Sequence, residues 1–232
     1  MNIGKRLESI GNKVPEGCVL ADIGTDHAYL PVWLLQQKKI ASAIAGDIAQ
    51  GPCLAAKNTV AMYGMKDKIE VRCGSGLKVL QSNEADCIAI AGMGGTTIID
   101  ILSADMEIAQ QAKILVLQPM AGAPSLRRWL CEHGWKLSAE DLVQDGSHLY
   151  EIIVAVRGES DKYSDAEYEV GPCLLAQKHV LLSAQLQKLI LSYQKTLNSM
   201  GKSSQAKESV KYRQMSSLLV QLEALADECK CS

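Results

Sequence analysis

The fold class this sequence predicts is a parallel, doubly wound α/β sheet closed by an antiparallel hairpin and followed by a helical extension. Three observations predict it. As far as Gly134, short continuous apolar runs alternate with helical segments, and such runs mark strands buried on both faces of a parallel sheet. Two strand-like runs then face each other across Gln144-Asp145-Gly146-Ser147, a turn-forming tetrapeptide. Beyond a polar stretch, apolar residues recur at spacings of three and four over two long segments.

The chain opens with an amphipathic helix, with Ile3, Leu7 and Ile10 on one face. After the turn Val14-Pro15-Glu16-Gly17, residues 18–24 are an apolar run ending in an acid and a glycine, the first strand. Residues 29–38 form a helix opened by Pro31 near its first turn. Residues 41–47 are the second strand, and 52–63 a helix stopped by Gly64. The third strand, 69–72, leads into Cys73-Gly74-Ser75-Gly76 and a short helix from Leu77. The fourth, 85–91, leads into Gly92-Met93-Gly94-Gly95 and a helix from Thr96. The fifth, 113–117, carries Gln118 and Pro119 at its C-terminal end, and 124–133 is a helix ended by Gly134. Strands at 135–143 and 148–156 make the hairpin. Residues 157–169 are polar and acidic and read as a linker, dividing the chain into residues 1–160 and 161–232. In the second part, Leu182, Leu186, Leu189, Tyr193, Leu197 and Met200 form one stripe and Tyr212, Met215, Leu219, Leu222 and Ala226 another, suited to a coiled-coil-like pair turning at 201–204.

Composition narrows the function classes. The chain is 47% hydrophobic and 22% charged, ordinary for a globular protein. No apolar run approaches the ~20 residues needed to cross a bilayer, and the N-terminus does not read as a secretory signal, so a cytoplasmic protein is expected. The eight cysteines include no Cys-x-x-Cys pair and are expected to be reduced thiols. Cys229 and Cys231 leave a zinc site incomplete, so no metal is expected. The net charge of −2 conceals an asymmetry. Between Val170 and Val220 stand Lys178, Lys188, Lys195, Lys202, Lys207, Lys211 and Arg213 against the single acid Glu208. An acidic body with a basic extension points to a polyanionic partner, and a dimerisation arm is the competing reading.

The candidate chemistry lies at the carboxyl ends of the strands, where α/β sheets bind ligands. Asp22 and Gly24 end the first strand, and Asp47, ending the second, is placed to accept hydrogen bonds from ribose hydroxyls. That pattern suits any adenosine-containing cofactor. The first turn, Gly24-Thr25-Asp26-His27-Ala28, lacks G-x-G-x-x-G, and Asp26 would repel a pyrophosphate. Asp22 and Asp26 suit instead the positive sulfonium and ammonium of S-adenosylmethionine. The terminal hairpin agrees, being the arrangement of Rossmann-like class I methyltransferases rather than of dinucleotide-dependent dehydrogenases. His27 is either structural or catalytic, Tyr29 either a core ring or a base-stacking platform. Gln118-Pro119 either holds a substrate base or caps the next helix.

Taken together, these residues resemble the bacterial TrmK family of tRNA (adenine-22-N1)-methyltransferases. The resemblance runs through Lys5-Arg6-Leu7, ADIGTDHAYLP at 21–31, AIAGD at 43–47, Gly51-Pro52, VRCGSGL at 71–77, IAGMGG at 90–95, LQP at 117–119, LRRWL at 126–130 and YEI at 150–152. It implies S-adenosylmethionine as cofactor and tRNA as partner. It implies cofactor contacts at Arg6, Asp22, Gly24, Thr25, Asp47, Ile48, Gly74, Ser75, Gly76, Ala91, Gly92 and Met93. It implies substrate-side roles for Asp26, His27, Tyr29, Gln118 and Pro119, and tRNA contact by the seven basic residues of the extension. Ser75 stands where the family often has Asp, and Met120 where it often has Asn. A small-molecule methyltransferase, or an RNA-binding scaffold with a residual cofactor pocket, are the alternatives.

Overall fold

The computed structural model describes residues 1–230. It contains two compact units, Met1–Asp161 and a second beginning at Lys162.

The first unit is built on a seven-stranded sheet of order β3-β2-β1-β4-β5-β7-β6. Strands β1 (Val19–Ile23), β2 (Ser42–Asp47), β3 (Ile69–Cys73), β4 (Cys87–Gly94) and β5 (Ile114–Ala121) run parallel, and β6 (Trp135–Asp145) and β7 (His148–Arg157) are the antiparallel hairpin. Leu20, Ala21, Ala43, Ala45, Ile88, Ala89, Leu115 and Val116 are buried because both faces of the sheet are covered. The covering helices are α1 (Gly4–Lys13), α2 (Tyr29–Gln36), α3 (Gln50–Met62), α4 (Gly95–Ala104), α5 (Met106–Gln111) and α6 (Ala123–Glu132). Strand order reverses between β1 and β4, so the connections leaving their carboxyl ends diverge and open a crevice.

Three features of this unit correct the sequence expectation. First, β4 and β5 run on to Gly94 and Ala121, with register shifts at Ala91, Met93 and Gly94. Gly92 takes φ +77°, which only glycine adopts freely, and the resulting bulge carries the strand past the point where apolar patterning stops. Gln118 and Pro119 therefore lie inside a strand rather than in a loop after it. Second, Cys53 and Cys73 are joined as a disulfide, where free thiols were expected; the pairing of Asp47 with Cys73 brings the end of β3 against the first turn of α3. Third, α5 interrupts what reads as a plain connection.

The hairpin is pinned by a buried ion triad. Arg127 on α6 is fully buried; its Nε donates to Glu140 Oε1 at 2.5 Å and its Nη2 to Glu151 Oε2 at 2.6 Å. Burial opposes the guanidinium charge, and the two carboxylates more than offset this, holding its pKa above the ordinary range. Helix α1 is fixed at both ends. The Arg6 backbone N–H donates to Asp145 Oδ2 at 3.2 Å, and Lys39 Nζ donates to the carbonyls of Gly11 and Asn12 at 2.9 Å each. A carboxylate at the N-terminus and a cation at the C-terminus both favour the helix dipole.

The second unit contains α7 (Asp165–Val170), α8 (Pro172–Ala176), α9 (Leu182–Met200), α10 (Ser204–Lys207) and α11 (Val210–Lys230). Helices α9 and α11 pack on each other, with Leu182, Leu186, Leu197 and Leu222 buried. The segment read as a linker contains α7, opened by a capping box between Ser164 and Glu167. Cys231 lies outside the described residues. Among the described residues, no helix is long and apolar enough to cross a membrane.

Candidate functional site

A cavity of about 320 Å³ opens at the crevice between β1 and β4, lined by Arg6, Leu7, Asp22, Gly24, Thr25, Asp26, His27, Tyr29, Leu30, Ala91 and Gly92. A larger one, about 940 Å³, lies within the second unit among residues such as Leu175, Leu182 and Leu225. Of the predicted site residues only Lys178 lines it, so size here does not mark the chemistry.

The floor of the smaller cavity follows from the end of β1. Asp22 is 7% exposed. Burial raises its pKa, a hydrogen bond with Thr25 lowers it, nearby Asp47 raises it, and the result is about 6. Two carboxylates close enough to feel each other, one of them desolvated, favour a cationic ligand. The loop after β1 is held by two backbone bonds, Gly24 N–H and Thr25 N–H donating to Gly46 O at 2.8 and 3.0 Å. Thr25 Oγ1 accepts from Ala28 N–H at 3.1 Å. Gly24 takes φ +78°, and a β-carbon there would lie 2.0 Å from Met93 Cε. The left-handed backbone is what calls for glycine here, and a β-carbon would in addition displace the tip of the Met93 side chain.

At the ends of β2 and β3, Asp47 Oδ1 accepts from Ala49 N–H at 2.7 Å, which fixes the carboxylate, and Gly74 N–H donates to Asp47 O at 2.9 Å. Ile48 is 72% exposed, an apolar side chain left in solvent beside an acid suited to ribose. Ser75 is exposed and Gly76 takes φ +55°.

At the mouth, the His27 and Tyr29 rings stack with centroids 4.9 Å apart and an interplanar angle of 8°. His27 Nε2 lies 3.7 Å from Asp26 Oδ2, and Asp26 is exposed. Tyr29 is 41% exposed; it is not a core ring.

Gln118 is fully buried. Its Oε1 accepts from Arg6 Nη1 at 2.7 Å and from Gly92 N–H at 3.2 Å, and its Nε2 donates to Pro119 O at 3.0 Å. Pro119 is buried as well. Neither side chain is presented to a base, and Gln118 does not cap the following helix. The reason is the extension of β5, whose alternation turns this amide under α1. Sequence reasoning missed Tyr150, over whose ring the Arg6 guanidinium sits at 5.7 Å, and Asp145. Tyr150 falls in the YEI motif, which gave no hint of its contact with the N-terminal helix.

The predicted site residues thus gather in three places: the cavity, the ends of β2 and β3, and the junction that buried Gln118 makes with Arg6 and Gly92 at the cavity wall. The seven basic residues of the second unit are all exposed, along α9, α10, α11, the segment before α9 and the turn between α9 and α10. Among the described residues, no three His, Cys, Asp or Glu side chains gather as a metal cluster.

Residues 20–223 match the family described as TrmK, tRNA (adenine(22)-N(1))-methyltransferase. The chain is 37% identical over 219 residues to the Bacillus subtilis tRNA (adenine(22)-N(1))-methyltransferase, covering 92% of this chain and 91% of that one. The chain belongs to the TrmK family. Solved TrmK structures share the whole architecture. The Bacillus subtilis m1A22 tRNA methyltransferase TrmK superposes with a TM-score of 0.85 at 33% identity, covering 98% of both chains. A Streptococcus pneumoniae structure in complex with S-adenosyl-L-methionine superposes with a TM-score of 0.86 at 31% identity, covering 97% of this chain and 100% of that one. M. capricolum TrmK, in complex with S-adenosyl-homocysteine, superposes with a TM-score of 0.82 at 26% identity, covering 97% of this chain and 98% of that one. The TrmK likeness therefore extends through the helical second unit as well as the sheet.

Proposed function

We infer that this chain transfers the methyl group of S-adenosylmethionine to N1 of adenine 22 in tRNA. The observation that carries this reading is the pair of carboxylates, Asp22 and Asp47, at the carboxyl ends of adjacent parallel strands beside a glycine-lined cavity, in a TrmK chain. The residues fit the cofactor. Buried Asp22 complements a cation, Gly24 gives the loop its left-handed turn at the cavity wall, and Asp47 and exposed Ile48 suit ribose and adenine.

When bound, the cofactor supplies a methyl group on an electron-poor sulfonium. The protein's own work is binding and alignment. Asp22 and Thr25 hold the floor, while Ala91, Gly92 and Met93 form the facing wall and Gly74, Ser75 and Gly76 the far loop. The stacked His27 and Tyr29 rings offer a face on which an unstacked base can lie. Adenine N1 carries its own lone pair, so alignment of two reactants supplies much of the acceleration. Asp26 accepts a hydrogen bond from the N6 amine and offsets the positive charge that develops on the base. Gln118 acts through Arg6 and Gly92 as a positioning residue, joining α1 to the β4 bulge. The exposed cations of the second unit grip tRNA phosphates. The reading places the enzyme with its tRNA in the cytoplasm.

The test is incubation with radiolabelled S-adenosylmethionine and unmodified tRNA, followed by nucleoside analysis. Label in N1-methyladenosine supports the reading. Label in N6-methyladenosine, or none while the cofactor binds, contradicts it.

A further inference from the structure

Two cysteines meet beneath the carboxyl ends of β2 and β3. Cys73 closes β3 in register with Asp47, and Cys53 lies in the first turn of α3 with its sulfur 3.3 Å from Asp47 O. Their Cα atoms are 6.0 Å apart, within the ~4.4–6.8 Å over which a disulfide closes without backbone movement. The two are not equivalent. Cys73 is exposed, whereas Cys53 is 1% exposed. One thiol is thus open to a reagent from solvent, and the other, hidden below it, is placed to resolve the product. The other close pair, Cys18 and Cys87, is buried in the core, out of reach of any such reagent.

We propose that Cys73 and Cys53 are a reversible thiol–disulfide switch, closed by a small disulfide of the glutathione class, that sets the affinity of the adjoining cofactor site. The Cys73 thiolate attacks one sulfur of the small disulfide, forming a mixed disulfide and expelling one small thiolate. Cys53, as thiolate, then attacks the Cys73 sulfur, forming the Cys53–Cys73 bond and expelling the second. Two protein thiols are oxidised, one small disulfide is reduced to two thiols, and the two protein protons end on those thiols.

The consequence follows from what the bond ties together, and it rests on the cofactor reading proposed above. Ile48 precedes α3, and Gly74, Ser75 and Gly76 follow β3. These segments hold the adenosine part of the cofactor in that reading. Cross-linking them beforehand removes an ordering cost that the reduced protein meets on binding. The oxidised form therefore binds more tightly, by about fivefold, the lower end of ordinary coupling between sites. By reciprocity, bound cofactor favours the disulfide by the same factor.

The full chain is equilibrated across a series of reduced-to-oxidised glutathione ratios, with and without S-adenosylhomocysteine as a non-reacting probe. Thiols are then alkylated and the bonded peptides mapped by mass, while calorimetry gives the probe's Kd in each state. The expected result is a Cys53–Cys73 linked peptide, a Kd about fivefold lower in the oxidised form, and a midpoint shifted by the same factor when the probe is present. Cys73→Ser and Cys53→Ser each abolish the redox dependence and keep the reduced-form Kd. Failure of the linked peptide to form, or one Kd in both states, overturns the switch and leaves the cofactor reading standing. No binding of the probe in either state overturns both.

Discussion

Replacing Asp22 by Asn separates stability from function in a way that can be worked out from the structure. Asp22 is buried beside Asp47, and its pKa is raised from the ordinary 3.8 to about 6. At ~1.36 kcal/mol per pKa unit, holding this group ionised in the cofactor-free fold costs roughly 3 kcal/mol. Because the folded-state value is the higher one, the unfolded chain gives up the proton first as pH rises. The stabilisation from neutral Asp22 is complete below about pH 3.8 and lost once pH passes about 6. Asn has no proton to lose. The cofactor-free Asp22→Asn protein should therefore gain on the native one as pH rises from 4 to 6, by up to roughly 3 kcal/mol, with the gap constant above pH 7. Urea unfolding of both proteins without cofactor, at pH 4, 6 and 8, measures this. Cofactor affinity should move oppositely: the native protein binds better as pH rises through about 6, and the Asn protein binds weakly throughout. A stability difference that does not change with pH, or one that shrinks as pH rises, would refute the assignment of a desolvated carboxylate.

Further perturbations test other parts of the account. Asp26→Ala should reduce turnover by at least about tenfold, or ~1.4 kcal/mol, with little change in the Kd for S-adenosylmethionine; a proportional loss of both would make Asp26 a cofactor ligand instead. Gly24→Ala brings a β-carbon to 2.0 Å from Met93 Cε and keeps a left-handed backbone, a conformation costing about 1–2 kcal/mol. Adding Met93→Ala should recover part of the lost Tm but not all of it. Arg127→Ala removes the guanidinium that two carboxylates face, one of them fully buried, and should destabilise the first unit by about 3–5 kcal/mol in chemical denaturation. Reversing the charge at exposed Lys195 and Lys211 should weaken tRNA binding and lower its salt slope by roughly one per lost phosphate contact, measured by titration at several salt concentrations; an unchanged slope would remove those contacts.

The order of strands and helices is written in apolar runs and their punctuation, and so are the carboxyl ends of β1 and β2. There an acid, a glycine and the end of hydrophobic patterning coincide, as at Asp22-Ile23-Gly24 and Asp47. The ends of β4 and β5 are less legible. Gly92 reads as the start of a loop, yet its left-handed backbone makes a bulge through which pairing continues to Gly94 and Ala121. That longer pairing decides the role of Gln118, whose amide lies under α1 against Arg6, 112 residues away in the chain. No local pattern carries such a contact. The Cys53–Cys73 pair is hidden for the same reason, since spacing alone does not reveal that α3 starts over the end of β3. In the second unit the apolar stripes announce α9 and α11, while α7 hides in a polar segment because a capping box is made of the same residues as a linker.

The central claim, methyl transfer to one adenine of tRNA, is tested most directly by comparing two transcripts that differ only at position 22. The native transcript should accept one methyl group per molecule, recovered as N1-methyladenosine. The transcript with guanine at that position should accept none while binding the protein equally well. Equal methylation of both transcripts would contradict the account.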